Sequence, residues 1–174
     1  PSLLSSPAGC STKVEAAMKI AIRRMELADL SQVVAIENCW SYLSKWGEAG
    51  YRAVMSDPRV YTCLVAEDTA TPSRPAVVVG MAVVAQLIDD CELCNLVVLP
   101  EYLSKRVRYS LLQAFVEVAQ YFKISRMLLE VRQSNHHAIE FYKRNGFRII
   151  SERKNYYLNP SENAWVMERV VEVG

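Results

Sequence analysis

The chain has 174 residues, 51% of them hydrophobic and 22% charged, with 20 Lys+Arg against 19 Asp+Glu. That length and apolar content suit one globular domain with a substantial core, and the near-zero net charge removes any global electrostatic reason to bind nucleic acid or an anionic membrane. Disordered and collagen-like classes fail on composition, and the longest apolar runs, such as Ala76–Ala85, are too short for a bilayer and rich enough in Val to read as buried strands.

Cys10, Cys39, Cys63, Cys91 and Cys94 make an odd set in a chain without a convincing secretory signal, which points to reduced thiols and a cytoplasmic location. Residues 1–17 are small, polar and aperiodic, and read as a tail, a linker or an expression remnant. Met18 is the first plausible initiator, which places a single domain at residues 18–174.

From Met18 the alternation in KIAIRRM predicts a strand, and Leu30, Val33, Val34 and Ile36 then make the apolar face of a helix with Asp29 in its first turn. A second helix is expected over roughly Ser41–Met55, ending near Asp57-Pro58. Val60–Ala66 reads as a β-branched strand, DTATPSRP as a loop, and Ala76–Leu87 as the returning strand of a hairpin. Glu92–Val98 is the next strand, stopped by Pro100. A long helix follows in which Leu111, Phe115, Val118 and Phe122 recur at helical spacing and read as core. Met127–Val131 is another buried strand, His137–Arg144 a short helix closed by Asn145-Gly146, and Phe147–Tyr156 with Ala164–Val171 complete the sheet. The order of elements predicts an α/β fold, an α+β mixed sheet with helices on both faces.

The stretch LLEVRQSNHHAIEFYKRNGF brings a carboxylate, an amide and a phenol close together in sequence. Glu130 ends an otherwise apolar strand, where it either faces a cleft as a general base or pairs with an arginine such as Arg132. Asn135 precedes a helix, the place of a side-chain cap. Tyr142 follows Ile139 by three residues and so faces inward, with a hydroxyl that needs a partner. His136 and His137 diverge by about 100° around that helix and do not form a metal pair, and Cys91-Glu-Leu-Cys94 lacks a second pair of ligands.

Together these residues resemble the GNAT superfamily of N-acetyltransferases, and within it the RimI type that acetylates protein N-termini. The resemblance covers nearly all of Met18–Val171. It is carried by LEVRQSNHHAIEFYKRNGF, by KNYY with the later AWVM, by NCWSYL and by CELCNLVVLPEY. It implies the GNAT fold, with a central, mostly antiparallel sheet, and acetyl-CoA as cosubstrate without a metal. The cofactor's pantetheine arm would bond main-chain groups of Leu96, Val97 and Val98, and Asn135 would hold it further. Glu130 would take a proton from the amine, and Tyr142 would protonate the departing thiolate. The implied acceptor is a protein or peptide N-terminus, with a ribosomal protein among the candidates. Neither nucleic acid nor membrane is implied as a partner, and the chain is expected as a monomer or homodimer.

One segment departs from that family. Where its members carry a glycine-rich loop that cradles a pyrophosphate on backbone N–H groups, this chain has Leu103-Ser104-Lys105-Arg106-Val107-Arg108, followed by Tyr109, with arginine at both glycine positions. Residues 104–109 are therefore the expected pyrophosphate segment, and two outcomes follow. Either the guanidinium groups replace the cradle, or the domain has lost its cofactor and serves as a binding or regulatory module. A small-molecule amine as acceptor is a third reading of the same fold.

Overall fold

A computed structural model describes residues 19–41, 43–70, 76–103 and 106–174. The tail expected at residues 1–17, the expected initiator Met18, part of the DTATPSRP loop, and Ser104 and Lys105 of the expected pyrophosphate segment lie outside the described residues. The chain runs β1 (Ile20–Arg24), α1 (Leu30–Asn38), α2 (Gly47–Met55), β2 (Tyr61–Asp68), β3 (Val77–Gln86), β4 (Asp90–Val98), α3 (Val107–Tyr121), β5 (Arg126–Arg132), α4 (His136–Arg144), β6 (Arg148–Leu158) and β7 (Ser161–Val170).

The strands form one seven-stranded sheet in the order β1-β2-β3-β4-β5-β7-β6. Every seam is antiparallel except β4–β5. The expected mixed sheet is therefore present, and the expected hairpin is β2–β3. Helices cover both faces. On one face α1 and α2 pack Leu30, Val33, Ile36 and Tyr51 against Val65, Met81 and Val97. On the other, α3 and α4 pack Leu111, Phe115 and Ile139 against Ala82, Leu129 and Met167.

Three expectations shift. Asp29 is the N-cap residue of α1, not a member of its first turn, and closes a 3-10 turn before it, where Arg23 grips its carboxylate with two hydrogen bonds of 2.7 and 2.8 Å. Phe122 is no core residue: it caps the C-terminus of α3 and is 38% exposed, although Leu111 and Phe115 are fully buried as the spacing predicts. The second helix begins at Gly47 rather than near Ser41.

The cause of that late start is a buried carboxylate. Glu37, 1% exposed near the end of α1, accepts hydrogen bonds from the backbone N–H of Trp46 (2.7 Å) and Gly47 (2.9 Å) and from the Tyr51 hydroxyl (2.9 Å). It thus caps α2 from another helix, and its negative charge suits that N-terminus. Gly47 has φ +62°, a conformation that side chains with a Cβ adopt with strain, so the turn into α2 needs glycine.

Tyr51 in turn accepts from Asn95 Nδ2 on β4 at 3.2 Å, so one network ties α1, α2 and the central strand together. Glu37→Gln places an amide N–H2 against a backbone N–H of Trp46 or Gly47, which can only donate. It is expected to cost about 2 kcal/mol and to lower the thermal midpoint by roughly 4–8 °C. A melting curve followed by circular dichroism checks this, and an unchanged midpoint refutes it.

On the opposite face, Gly80 of β3 lets α3 approach closely. A Cβ there would stand 3.1 Å from Val107 Cγ1 and 3.2 Å from Leu111 Cδ1. This contact sets the first turn of α3 directly against the sheet, beside the place where β4 and β5 part.

Candidate active site

Strands β4 and β5 pair in parallel only from Asp90–Arg126 to Leu93–Leu129. Beyond that point they separate, while β4 continues along β3 as far as Val98 and β5 continues along β7 as far as Arg132. A bulge accompanies the parting: Val84 faces Leu93 but Val83 faces Asn95, so Cys94 is an extra residue. Because of it, Cys94 and Asn95 lie on the same side of the sheet, and Asn95 reaches Tyr51. The main-chain edge of β4 from Asn95 to Val98 is left without a strand on its β5 side.

The gap opens into a cleft of about 520 Å³. Of the residues singled out in the sequence, Leu96, Val97, Val98, Arg108, Glu130, Asn135 and Tyr142 all line it. Arg106 does not, and it serves instead as the N-cap residue of α3. Val107 is fully buried in the core and Tyr109 is 44% exposed, so these two can serve the cleft only through backbone N–H groups. Val98 departs from expectation in one respect, since its carbonyl already accepts from Trp40 Nε1 at 2.9 Å.

Glu130 and Tyr142 reach the cleft from opposite faces. Along β5, Met127, Leu129 and Val131 belong to the core under α3 and α4, so Glu130 projects to the face covered by α1 and α2. Its carboxylate is bound by the guanidinium of Arg153 on β6, not by Arg132. Arg132 is occupied elsewhere: it lies 4.1 Å over the Tyr157 ring and donates to the carbonyls of Asn159 and Pro160 and to Glu162.

Tyr142 stands on the α4 side in an aromatic row, 5.4 Å from Phe141 and 5.7 Å from Phe147 between ring centres. Its hydroxyl has no hydrogen-bond partner among the described residues. Burial pushes the Tyr142 phenol up to about 12, an effect opposed by the positive charge of Arg108. Asn135 caps α4, its Oδ1 accepting from Ala138 N at 3.2 Å, and so fixes the helix that carries Tyr142.

Among the described residues, the first turn of α3 has no acidic residue and no side-chain cap, which leaves the positive end of the helix beside the cleft that Leu103 and Arg108 line. Arg108 adds a full charge there, held 4.7 Å over the Phe141 ring. A cation at a helix N-terminus opposes the helix dipole, so this arrangement fits an anion that answers both. The unpaired edge of β4 offers amide-compatible donors and acceptors, and the apolar lining suits a flexible chain. The residues present therefore fit a diphosphate with a long amide-bearing arm.

Several lining groups escaped the sequence reading. Trp46, Asn95 and Tyr157 come from three separate elements, and only the folded topology brings them to the cleft. Glu92, outside the cleft lining, is a further carboxylate on β4 whose pKa is raised by burial and by the nearby charge of Glu130. Cys91 packs into the core under α3, whereas Cys94 packs toward α1 and α2, so the CxxC thiols point to opposite faces. Burial pushes both up to about 12.

This splayed, helix-flanked sheet is that of an acyl-CoA-dependent acetyltransferase, and the model of the Acetyltransferase (GNAT) family matches residues 21–147. The chain belongs to that family and is a GNAT N-acetyltransferase related to the RimI type. It is 30% identical over 150 residues, 86% of this chain and 94% of the other, to a Bacillus subtilis (strain 168) protein provisionally named [ribosomal protein bS18]-alanine N-acetyltransferase. To the [ribosomal protein bS18]-alanine N-acetyltransferase of Haemophilus ducreyi it is 39% identical over 93 residues, 52% of this chain and 64% of that one. The crystal structure of the ribosomal-protein-S18-alanine N-acetyltransferase from Escherichia coli superposes with a TM-score of 0.75 at 23% identity, covering 90% of this chain and 96% of that one. That of Ard1 from Thermoplasma volcanium gives 0.76 at 26% identity, covering 88% and 98%. Among the described residues, no helix is long and apolar enough to cross a membrane.

Proposed function

We propose that this enzyme acetylates the α-amino group of a protein N-terminus, with an alanine-starting ribosomal protein as its acceptor. The observation that carries the reading is the placement of Glu130 and Tyr142 on opposite faces of one gap in the sheet. An amine arriving from the α1–α2 face would meet Glu130, and Tyr142, on the α3–α4 face, would serve the sulfur of a thioester bound there. The names of the relatives in Bacillus and Haemophilus support the acceptor class.

Acetyl-CoA brings the acetyl group as an activated thioester. The chain's residues then do three things. The β4 edge, Arg108 and the start of α3 bind and orient the cosubstrate. Glu130 receives the proton that the amine loses as its nitrogen bonds to the carbonyl carbon, and the Tyr142 phenol gives its proton to the sulfur as the carbon–sulfur bond breaks. Attack is direct, so no nucleophilic side chain is needed.

The amine's own chemistry favours an N-terminus. At pH 7 roughly a tenth of α-amino groups are neutral, against fewer than about one lysine in a thousand, so a single carboxylate suffices for the former. Peptides beginning with alanine and carrying an internal lysine are the test, with spermidine as a small-amine control. Mass spectrometry is expected to place the acetyl group on the α-amine. Modification of the internal lysine alone, or of spermidine alone, would falsify the proposal.

A further inference from the structure

We propose that Arg153 is a resident cation in the acceptor-amine subsite, a built-in competitor that the substrate's α-ammonium displaces from Glu130. This rests on the α-amine reading above and deepens it. The Glu130 carboxylate is where an incoming amine must deliver its proton, and in this structure the Arg153 guanidinium is hydrogen-bonded to it. The guanidinium also lies 4.3 Å over the Tyr156 ring, so a ring and a carboxylate hold it from two sides.

The two partners differ in exposure in the way that a displaceable plug requires. Glu130 has a side chain only 13% exposed, whereas that of Arg153 is 54% exposed and approaches from solvent. Arg153 can thus swing outward without unpacking any core, while Glu130 stays fixed on β5. The backbone around it is also irregular: the β6–β7 register is interrupted between Arg153 and Tyr157, and Asn155 has φ +52°.

Charge supplies the driving force for exchange. Glu92, partly buried on β4, feels both Glu130 and Arg153, so two carboxylates face one arginine. With Arg153 in place, its charge offsets that of the carboxylates around it. With Arg153 swung out, both carboxylates await the ammonium, which is mostly protonated at pH 7. The guanidinium holds one Glu130 oxygen and sets a positive charge where the α-ammonium must arrive, so the two cations compete for the same carboxylate. A site already filled by its own cation reduces the apparent affinity for the acceptor by the fraction of molecules left open.

The test is steady-state kinetics of the full chain on an alanine-starting peptide, with peptide KM, acetyl-CoA KM and melting temperature measured for wild type, Arg153→Gln and Arg153→Lys. If the pair is closed nine-tenths of the time, Arg153→Gln lowers the peptide KM by about tenfold and leaves the acetyl-CoA KM unchanged. Arg153→Lys, which keeps a cation, stays near wild type. Should Arg153→Gln fail to fold, Arg153→Met keeps the half-exposed stem without its charge and is expected to lower the peptide KM in the same direction. A peptide KM that is unchanged or raised in a folded variant overturns the competitor role while leaving the acceptor assignment standing. Wild type with no turnover on any α-amine overturns the functional reading itself, and this proposal with it.

Discussion

Tyr142→Phe is expected to lower kcat by about 10²- to 10³-fold with CoA affinity preserved, because the phenol acts on negative charge that develops only as the sulfur leaves. The ring itself stays in its aromatic row beside Phe141 and Phe147, so the variant keeps its packing. Single-turnover kinetics at saturating acetyl-CoA check this, and equal rates in mutant and wild type would remove Tyr142 from the chemistry. The pH profile offers a second reading. With the phenol pushed up to about 12, its protonated, acid-competent form persists as pH rises. Tyr142 therefore contributes no falling limb to kcat until about pH 11.

The second large effect concerns the arginines that stand where the family has glycine. Arg108 lines the cleft over Phe141 and Arg106 does not line it, so the two are expected to separate. Arg108→Ala should weaken CoA binding by about 10- to 100-fold, the worth of a charge-assisted contact to a phosphate, and Arg106→Ala should do much less. The dependence of binding on salt should also flatten in Arg108→Ala. If the arginine side chains obstruct the path instead, the Arg106→Gly, Arg108→Gly double mutant gains affinity as backbone N–H groups become reachable. Titration calorimetry on these variants decides between the two, since the readings predict opposite signs.

Much of the fold is legible in the chain because its signals are local. The apolar spacing of Leu111 and Phe115, the Val-rich run of β3 and the Asn145-Gly146 stop each record a structure made within a few residues. The resemblance carried by LEVRQSNHHAIEFYKRNGF likewise names Glu130, Asn135 and Tyr142, which the fold brings to one cleft.

What the chain conceals is long-range. Arg132 shares a strand face with Glu130 and is its natural partner on paper, yet β7 lies between β5 and β6, and the partner is an arginine 23 positions away. Glu37 reads as one more polar position on a helix. Nothing local says that it is buried or that it caps the next helix, which is why α2 starts late. Phe122 kept its helical spacing but fell at the C-cap, one residue past the end of α3, where periodicity no longer implies burial.

The parting of β4 and β5 has a consequence for how this sheet avoids misassociation. Unsatisfied strand edges ordinarily sit at the rim of a sheet, where another chain can pair with them. Here two such edges run through the middle of the molecule, walled by Trp40 on one side and by Phe141 and Tyr142 on the other. A foreign strand would project side chains toward both walls, whereas a linear arm with its own amides and no such side chains would not. The interruption is thus a selective template: it rejects the polypeptide pairing that an open edge invites, and it accepts a ligand able to act as a short surrogate strand between the two halves of the sheet.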